Sequence, residues 1–223
     1  MFKRAYVEIT NVCNLRCSFC PGTTRAPRAM TPDEFRIIAQ KLRAQTDYLY
    51  FHVMGEPLLH PDLPELLQIA DEMGFRVCLT TNGTLLGKCA DALCAAPALH
   101  KVSISLHSFE GNGGADLTGY LETVWAFCRR ADCIVSLRLW NKGGADRRNE
   151  EIETFFSRKT GLDVQICPAT PPAIESWAKS STWRAPRNST GPIPPPPNKA
   201  WNSATVFGSR SPFCATARWY PAA

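Results

Sequence analysis

The chain has 223 residues, 44% of them hydrophobic and 20% charged, with ten cysteines and a net charge of +5, long enough to bury a core of its own. Residues 1 to 30 hold no apolar leader-like run, and the longest uncharged apolar stretches, such as Val102 to Leu106, are far too short to span a bilayer, which predicts an unexported, cytoplasmic protein without membrane partners. The charge excess lies in residues 159 to 223, with seven Lys/Arg against two Asp/Glu, while residues 1 to 158 carry eighteen of each, so no nucleic-acid-binding face is expected on the folded part.

In chain order the strand-like runs are "AYVEIT", "YLYFHV", "RVCLTT", "KVSISLH", "CIVSLRLW" and a weaker "LDVQI" at 162 to 166. Amphipathic stretches separate them. The first follows Thr31, with Pro32 at the first helical position and Glu34 at the third, a capping box. The second is expected from Pro61 to just before Gly74, a left-handed C-terminal cap. Repeated βα units imply a parallel sheet joined by crossover helices.

Successive strand side chains point to opposite faces. One face is apolar: Val7 and Ile9; Leu49, Phe51 and Val53; Val77 and Leu79; Val102, Ile104 and Leu106; Val135, Leu137 and Leu139. The other is polar or mixed: Glu8 and Thr10; Tyr50, His52 and Met54; Cys78, Thr80 and Asn82; Ser103, Ser105 and His107; Ser136, Arg138 and Trp140. A doubly wound sheet, the alternative, needs apolar residues on both faces. The pattern therefore predicts an α/β fold, a partial (β/α)6 barrel of the TIM-like type, with a polar cavity opening at the C-terminal strand ends. Residues 1–166 form this core. Residues 167–223 hold eleven of the eighteen prolines, including Pro194 to Pro197, and are expected to be an irregular tail.

"CNLRCSFC" at 13 to 20 sets Cys13, Cys17 and Cys20 at C-x3-C-x2-C directly after the first strand. Thiolates at this spacing suit zinc, copper(I) or an iron–sulfur cluster. Structural zinc needs a fourth ligand, and none stands nearby; a remote one such as Cys167 or Cys214 would make a non-catalytic metal-binding scaffold. A cubane cluster held by three cysteines leaves one iron open. Cys78, Cys89, Cys94, Cys128 and Cys133 sit within strand or helix patterns and read as small core residues, as in a reducing compartment.

The triad, with Phe19 just before its last cysteine, resembles the signature of the radical S-adenosylmethionine (SAM) superfamily. "MGEP" at 54 to 57 is similar to the family's GGEP, with Met54 in place of the first glycine. "TTNG" at 80 to 83, "SISLHS" at 103 to 108 and "LRLWN" at 137 to 141 follow in the family's order. The resemblance implies a [4Fe–4S] cluster on Cys13, Cys17 and Cys20, with SAM on the open iron. It also implies an enzyme that cleaves SAM reductively to a 5′-deoxyadenosyl radical, which takes hydrogen from an unknown small-molecule or peptide substrate. An electron donor such as flavodoxin or ferredoxin is implied too. By the same resemblance Phe19 belongs to the site, Gly55 and Glu56 meet the methionyl ammonium, Ser105 meets the ribose or carboxylate, and Arg138 meets the carboxylate. Asn82 is either a ligand contact or a turn former, and His52 and His107 are structural or reach the cavity. No catalytic residue is assigned.

Many relatives continue into a SPASM or twitch extension that contains a segment like "DGTVVPCC". This chain reads "FCATARWYPAA" at 213 to 223. Synonymous codons for that segment, read two nucleotides later, encode "LRDGTVVPCC". The resemblance thus implies a truncated or frameshifted C-terminal part, out of frame from between residues 160 and 178, and impaired activity of this chain. A catalytically dead fragment is one alternative; a proline tail that binds partners as a polyproline helix is the other.

Overall fold

The computed structural model describes residues 4–110, 116–139 and 148–162, together with two strands at 205–206 and 215–219. Five strands run parallel in chain order: β1 (Ala5–Tyr6), β2 (Tyr48–Phe51), β3 (Arg76–Thr81), β4 (Leu99–Ser105) and β5 (Ile134–Leu139). Helices α1 (Pro32–Arg43), α2 (Leu63–Glu72), α3 (Leu86–Cys94) and α5 (Leu117–Arg130) form the crossovers between them, α4 (His107–Glu110) is a short turn after β4, and α6 (Asn149–Thr160) follows β5. The sheet order is β1-β2-β3-β4-β5-β7-β6, an open array. This is the expected partial barrel.

The tail departs from its expected irregularity in two places. β7 (Ala215–Trp219) pairs antiparallel with β5, and β6 (Thr205–Val206) pairs antiparallel with β7. Without β7 the outer edge of β5 would be left with open backbone groups, and an alternating segment such as "ATARW" satisfies it. The sixth parallel strand expected at 162 to 166, apart from Leu162, the rest of the tail and Trp140 lie outside the described residues.

Local sequence explains the helix starts. The capping box of α1 is complete: Glu34 N–H donates to Thr31 Oγ1 (3.2 Å) and Thr31 N–H to Glu34 Oε2 (3.0 Å). α2 begins at Leu63, two residues beyond the expected Pro61. Asp62 N–H donates to His60 Nδ1 (3.1 Å), and this turn holds Pro61 outside the helix, with Pro64 taking the first-turn position instead. Gly74 follows the helix at φ +72, the expected left-handed stop.

The apolar strand face is the core. Leu49, Phe51, Val77, Leu79, Val102 and Ile104 are fully buried against helix residues such as Phe35, Leu66 and Val124. Phe35 meets Phe51 edge-on at 5.4 Å. Each such side chain contributes about 1.5–3 kcal/mol. Val53 is the exception at 57% exposed, because β2 ends at Phe51 and the alternation ends with it. On the other face the register aligns Tyr6, Tyr50, Cys78, Lys101 and Ile134 in one row. Thr80, Ser103 and Ser136 form the next, and Ser105 and Arg138 pair nearest the C-terminal ends. The polar face predicted from alternation is thus a graded surface, aromatic below and rich in hydroxyls above.

Candidate active site

The three cysteines lie on the loop between β1 and α1, and the neck of that loop is closed by hydrogen bonds. Met30 N–H donates to Ile9 O (2.8 Å), Asn11 N–H to Arg28 O (3.2 Å), Arg28 N–H to Asn11 Oδ1 (2.7 Å) and Asn11 Nδ2 to Ala26 O (2.8 Å). Thr10 adds its hydroxyl to Arg28 O (3.0 Å). The loop therefore leaves and re-enters the fold at one point, directly above the end of β1.

Cys13, Cys17 and Cys20 stand outside any disulfide, the first and last exposed and the middle one half-buried. Cys20 N–H donates to Cys17 O (3.0 Å), folding the last two onto one tight turn, and Leu15 N–H approaches Cys13 Sγ at 3.5 Å. Burial pushes the Cys13 thiol up, and the charges of Glu56, Cys17 and Cys20 act in the same direction. Among the described residues no three His, Cys, Asp or Glu side chains converge as a closed metal cage. The donor set nonetheless fits an iron–sulfur cluster: three cysteines outside any disulfide on one loop, two of them exposed.

Gly55 is forced by its surroundings. It sits at φ +78, and a Cβ there would strike the Thr10 carbonyl and lie 2.9 Å from the Val12 carbonyl. Only glycine lets the chain after β2 pass this close to the root of the cysteine loop. Glu56, next to it, donates its N–H to Val12 O (2.7 Å). Its carboxylate, 2% exposed, accepts from Thr81 Oγ1 (2.6 Å), Asn82 N–H (2.7 Å) and Leu58 N–H (3.0 Å). Burial raises its pKa, and the three donors oppose that rise. Through this residue the ends of β1, β2 and β3 are tied together, and Pro57–Leu59 is capped as a short 3₁₀ turn.

Asn82 takes the turn-forming role. Its Oδ1 accepts from Thr84 N–H (2.9 Å) and from Thr84 Oγ1 (2.6 Å), its Nδ2 donates to Asn14 Oδ1 (2.9 Å), and its carbonyl accepts from Tyr120 OH (2.8 Å). Gly83 follows at φ +78, where a Cβ would stand 2.9 Å from Ile104 and the Tyr120 hydroxyl.

The β4–β5 side is more open. Ser105 and Arg138 are register partners, both half-buried, and Arg138 Nη1 lies 3.4 Å from Thr80 Oγ1. His107 Nδ1–H donates to Arg138 O (3.2 Å); a carbonyl only accepts, so this fixes the tautomer. Burial pushes His107 down, and it pushes His52 down to about 4 with help from the Arg138 charge. Phe19, 54% exposed, rests its ring 5.0 Å from that of His107 and so spans from the cysteine loop to the end of β4.

The structure thus places Gly55, Glu56 and Asn82 with the root of the cysteine loop at one end of the sheet, and Phe19, Ser105, His107 and Arg138 along the β4–β5 side of that end. Sequence reasoning missed Asn14, Thr81, Thr84 and Tyr120, whose partners lie far away in the chain. The one available signal was an asparagine placed directly after the first cysteine.

A family model described as Radical SAM superfamily matches residues 7–131. The GTP 3',8-cyclase of Chlorobaculum tepidum is 37% identical over 109 residues, 47% of this chain and 32% of the relative. The AdoMet-dependent heme synthase of Methanosarcina barkeri is 32% identical over 102 residues, 44% of this chain and 29% of the relative. This chain therefore spans about a third of the length of these curated relatives. In fold it is similar to Streptococcus suis SuiB bound to S-adenosylmethionine, at TM-score 0.50 and 21% identity, over 58% of this chain and 32% of that one. With a family match over more than half its length, the chain belongs to the radical SAM superfamily, whose cofactors are a [4Fe–4S] cluster and SAM.

Proposed function

We propose that this chain is the SAM-cleaving core of a radical SAM enzyme, with Cys13, Cys17 and Cys20 as the three protein ligands of its cluster. The observation that carries the reading is the closed-neck loop, which carries three cysteines outside any disulfide and is rooted at the Gly55–Glu56–Asn82 crossing of three strand ends. Bound there, the cluster and SAM supply one-electron cleavage of the sulfonium and hydrogen abstraction. The protein's own part is positional. Gly55 and Glu56 present the strand-end backbone toward the methionyl ammonium, with a buried carboxylate behind it. Asn82 shapes the turn below, Ser105 and Arg138 offer a hydroxyl and a guanidinium to the ribose and carboxylate, and Phe19 shields the cluster side from water.

The substrate in this reading is a small polar molecule rather than a peptide. The named cyclases among the relatives favour it, as does the hydroxyl-rich row of Thr80, Ser103 and Ser136. The electron comes from a flavodoxin- or ferredoxin-like donor. Among the described residues no helix is long and apolar enough to cross a membrane.

We further propose that the core ends near residue 166 and that the chain beyond it is read out of frame. Codons for residues 170 to 223 that meet a stop when read two nucleotides later would refute this; a continuous reading with "DGTVVPCC" supports it. For the site, iron and sulfide bound after anaerobic reconstitution are counted. The wild type is expected to approach four of each per chain, and Cys17→Ala to lose the cluster. A Cys17→Ala protein that kept a SAM-responsive cluster would overturn the assignment.

A further inference from the structure

Outside the thiols and the SAM-facing residues, one arrangement has no role in the account above: a closed ring of side-chain hydrogen bonds at the root of the cysteine loop. Asn14 Nδ2 donates to Thr84 Oγ1 (2.9 Å), Thr84 Oγ1 donates to Asn82 Oδ1 (2.6 Å), and Asn82 Nδ2 donates to Asn14 Oδ1 (2.9 Å). The chemistry of the donors fixes the direction of the ring. Thr84 N–H also points at Asn82 Oδ1 (2.9 Å), so that atom is the acceptor and the opposite end of the Asn82 amide is the donor. Asn14 must then accept with its oxygen and donate with its nitrogen, and the Thr84 hydroxyl serves both asparagines, accepting from Asn14 on a lone pair and donating its one proton to Asn82. Every member both gives and receives, an arrangement in which each bond polarises the next.

The ring adds a direct side-chain tie between two elements that Glu56 bridges at Val12 and Asn82. Asn14 lies next to Cys13 in a loop whose neck is closed at residues 10–11 and 26–30, and the ring is a second tie, on the cysteine side of that neck, to the turn between β3 and α3. That turn is itself immobilised, by Glu56 on Asn82 N–H (2.7 Å) and by Tyr120 on the Asn82 carbonyl (2.8 Å).

We propose that Asn14 is a positioning residue that, with Thr84 and Asn82, latches the Cys13 end of the loop to the turn after the third strand before any cluster is bound, so that the first thiol is preset. The proposal rests on the cluster reading above for its purpose, but its geometry is testable without a cluster. Supporting groups of this kind typically alter metal retention by about 10–100-fold.

The test uses the full chain. In the reduced apoprotein, brief iodoacetamide labelling followed by peptide mass spectrometry gives the Cys13 rate relative to Cys20 in the same molecule, a ratio that general loosening of the fold would not shift selectively. Asn14→Ala and Thr84→Val are expected to raise that ratio about fivefold, the factor of one net hydrogen bond. Thr84→Ser, which keeps the hydroxyl, should return it to the wild-type value. In the reconstituted protein the first two variants should lose iron to a chelator about tenfold faster. An unchanged labelling ratio in Asn14→Ala, or a Thr84→Ser protein that behaves like Thr84→Val, would overturn the latch. A wild type that binds no cluster would instead overturn the cluster reading, and the labelling ratio would still decide the latch.

Discussion

At the mouth of the sheet, the ends of β1, β2 and β3 are cross-tied through the buried Glu56 carboxylate and main-chain groups, while the ends of β4 and β5 are joined at the Arg138 carbonyl, which accepts from Leu106 N–H (3.0 Å) and His107 Nδ1 (3.2 Å), with the Ser105 and Arg138 side chains only half-buried. On the first side Glu56, Asn82 and the Val12 carbonyl form a continuous network around Gly55, with backbone N–H groups as most of the donors. On the second, Ser105 and Arg138 face each other across a register pair, and Arg138 reaches Thr80 only at 3.4 Å. A ligand approaching this mouth finds one wall preset and one wall able to adjust. That division suits a site in which a cofactor sits on the rigid wall and a guanidinium turns to meet it.

The sharpest way to break this contrast is at Gly55. Gly55→Ala forces a Cβ against the Thr10 and Val12 carbonyls at a positive φ, and it is expected to cost about 3 kcal/mol or more and to displace the cysteine loop. Thermal melting of the apoprotein reads this directly; a variant as stable as the wild type would show that the wall is not rigid. Glu56 is the next test. Its folded pKa is raised by burial above the unfolded value, so the stability it contributes is fully present below the unfolded pKa near 4.5 and is lost as pH rises through the folded pKa. The melting difference between wild type and Glu56→Gln should therefore be larger at pH 4 than at pH 7. A difference independent of pH would mean that the carboxylate is not desolvated. The smallest effect on stability is expected on the adjustable wall: Arg138→Ala should change the apoprotein's stability by less than about 1 kcal/mol while weakening SAM binding in the reconstituted protein. A large loss of stability with SAM binding intact would reverse the roles of the two walls.

The same contrast separates what could be read in advance from what could not. The faces of the strands were legible because side-chain alternation is a local rule, and the α1 capping box was legible because Thr31, Pro32 and Glu34 are neighbours in sequence. Gly55 and the cysteine triad stood out because their residue types are constrained. The clasp of Glu56 was not legible, since its partners Thr81 and Asn82 are about 25 residues on and come near only through the parallel pairing of β2 and β3. Val53 was misplaced for a related reason: alternation holds only while the strand lasts, and the chain leaves the sheet after Phe51 to bring Gly55 beneath the cysteine loop. The start of α2 was missed because the His60 ring takes the Asp62 N–H, a competition between side chain and helix that proline position alone does not reveal.

The central claim is that three cysteines on one closed loop hold a cluster whose remaining iron is free for SAM. The most direct test is the electron paramagnetic resonance spectrum of the reduced, anaerobically reconstituted protein, recorded with and without SAM. The account predicts a [4Fe–4S] signal whose shape changes on adding SAM in the wild type and is absent in Cys17→Ala. A fully assembled cluster with a spectrum indifferent to SAM would contradict it.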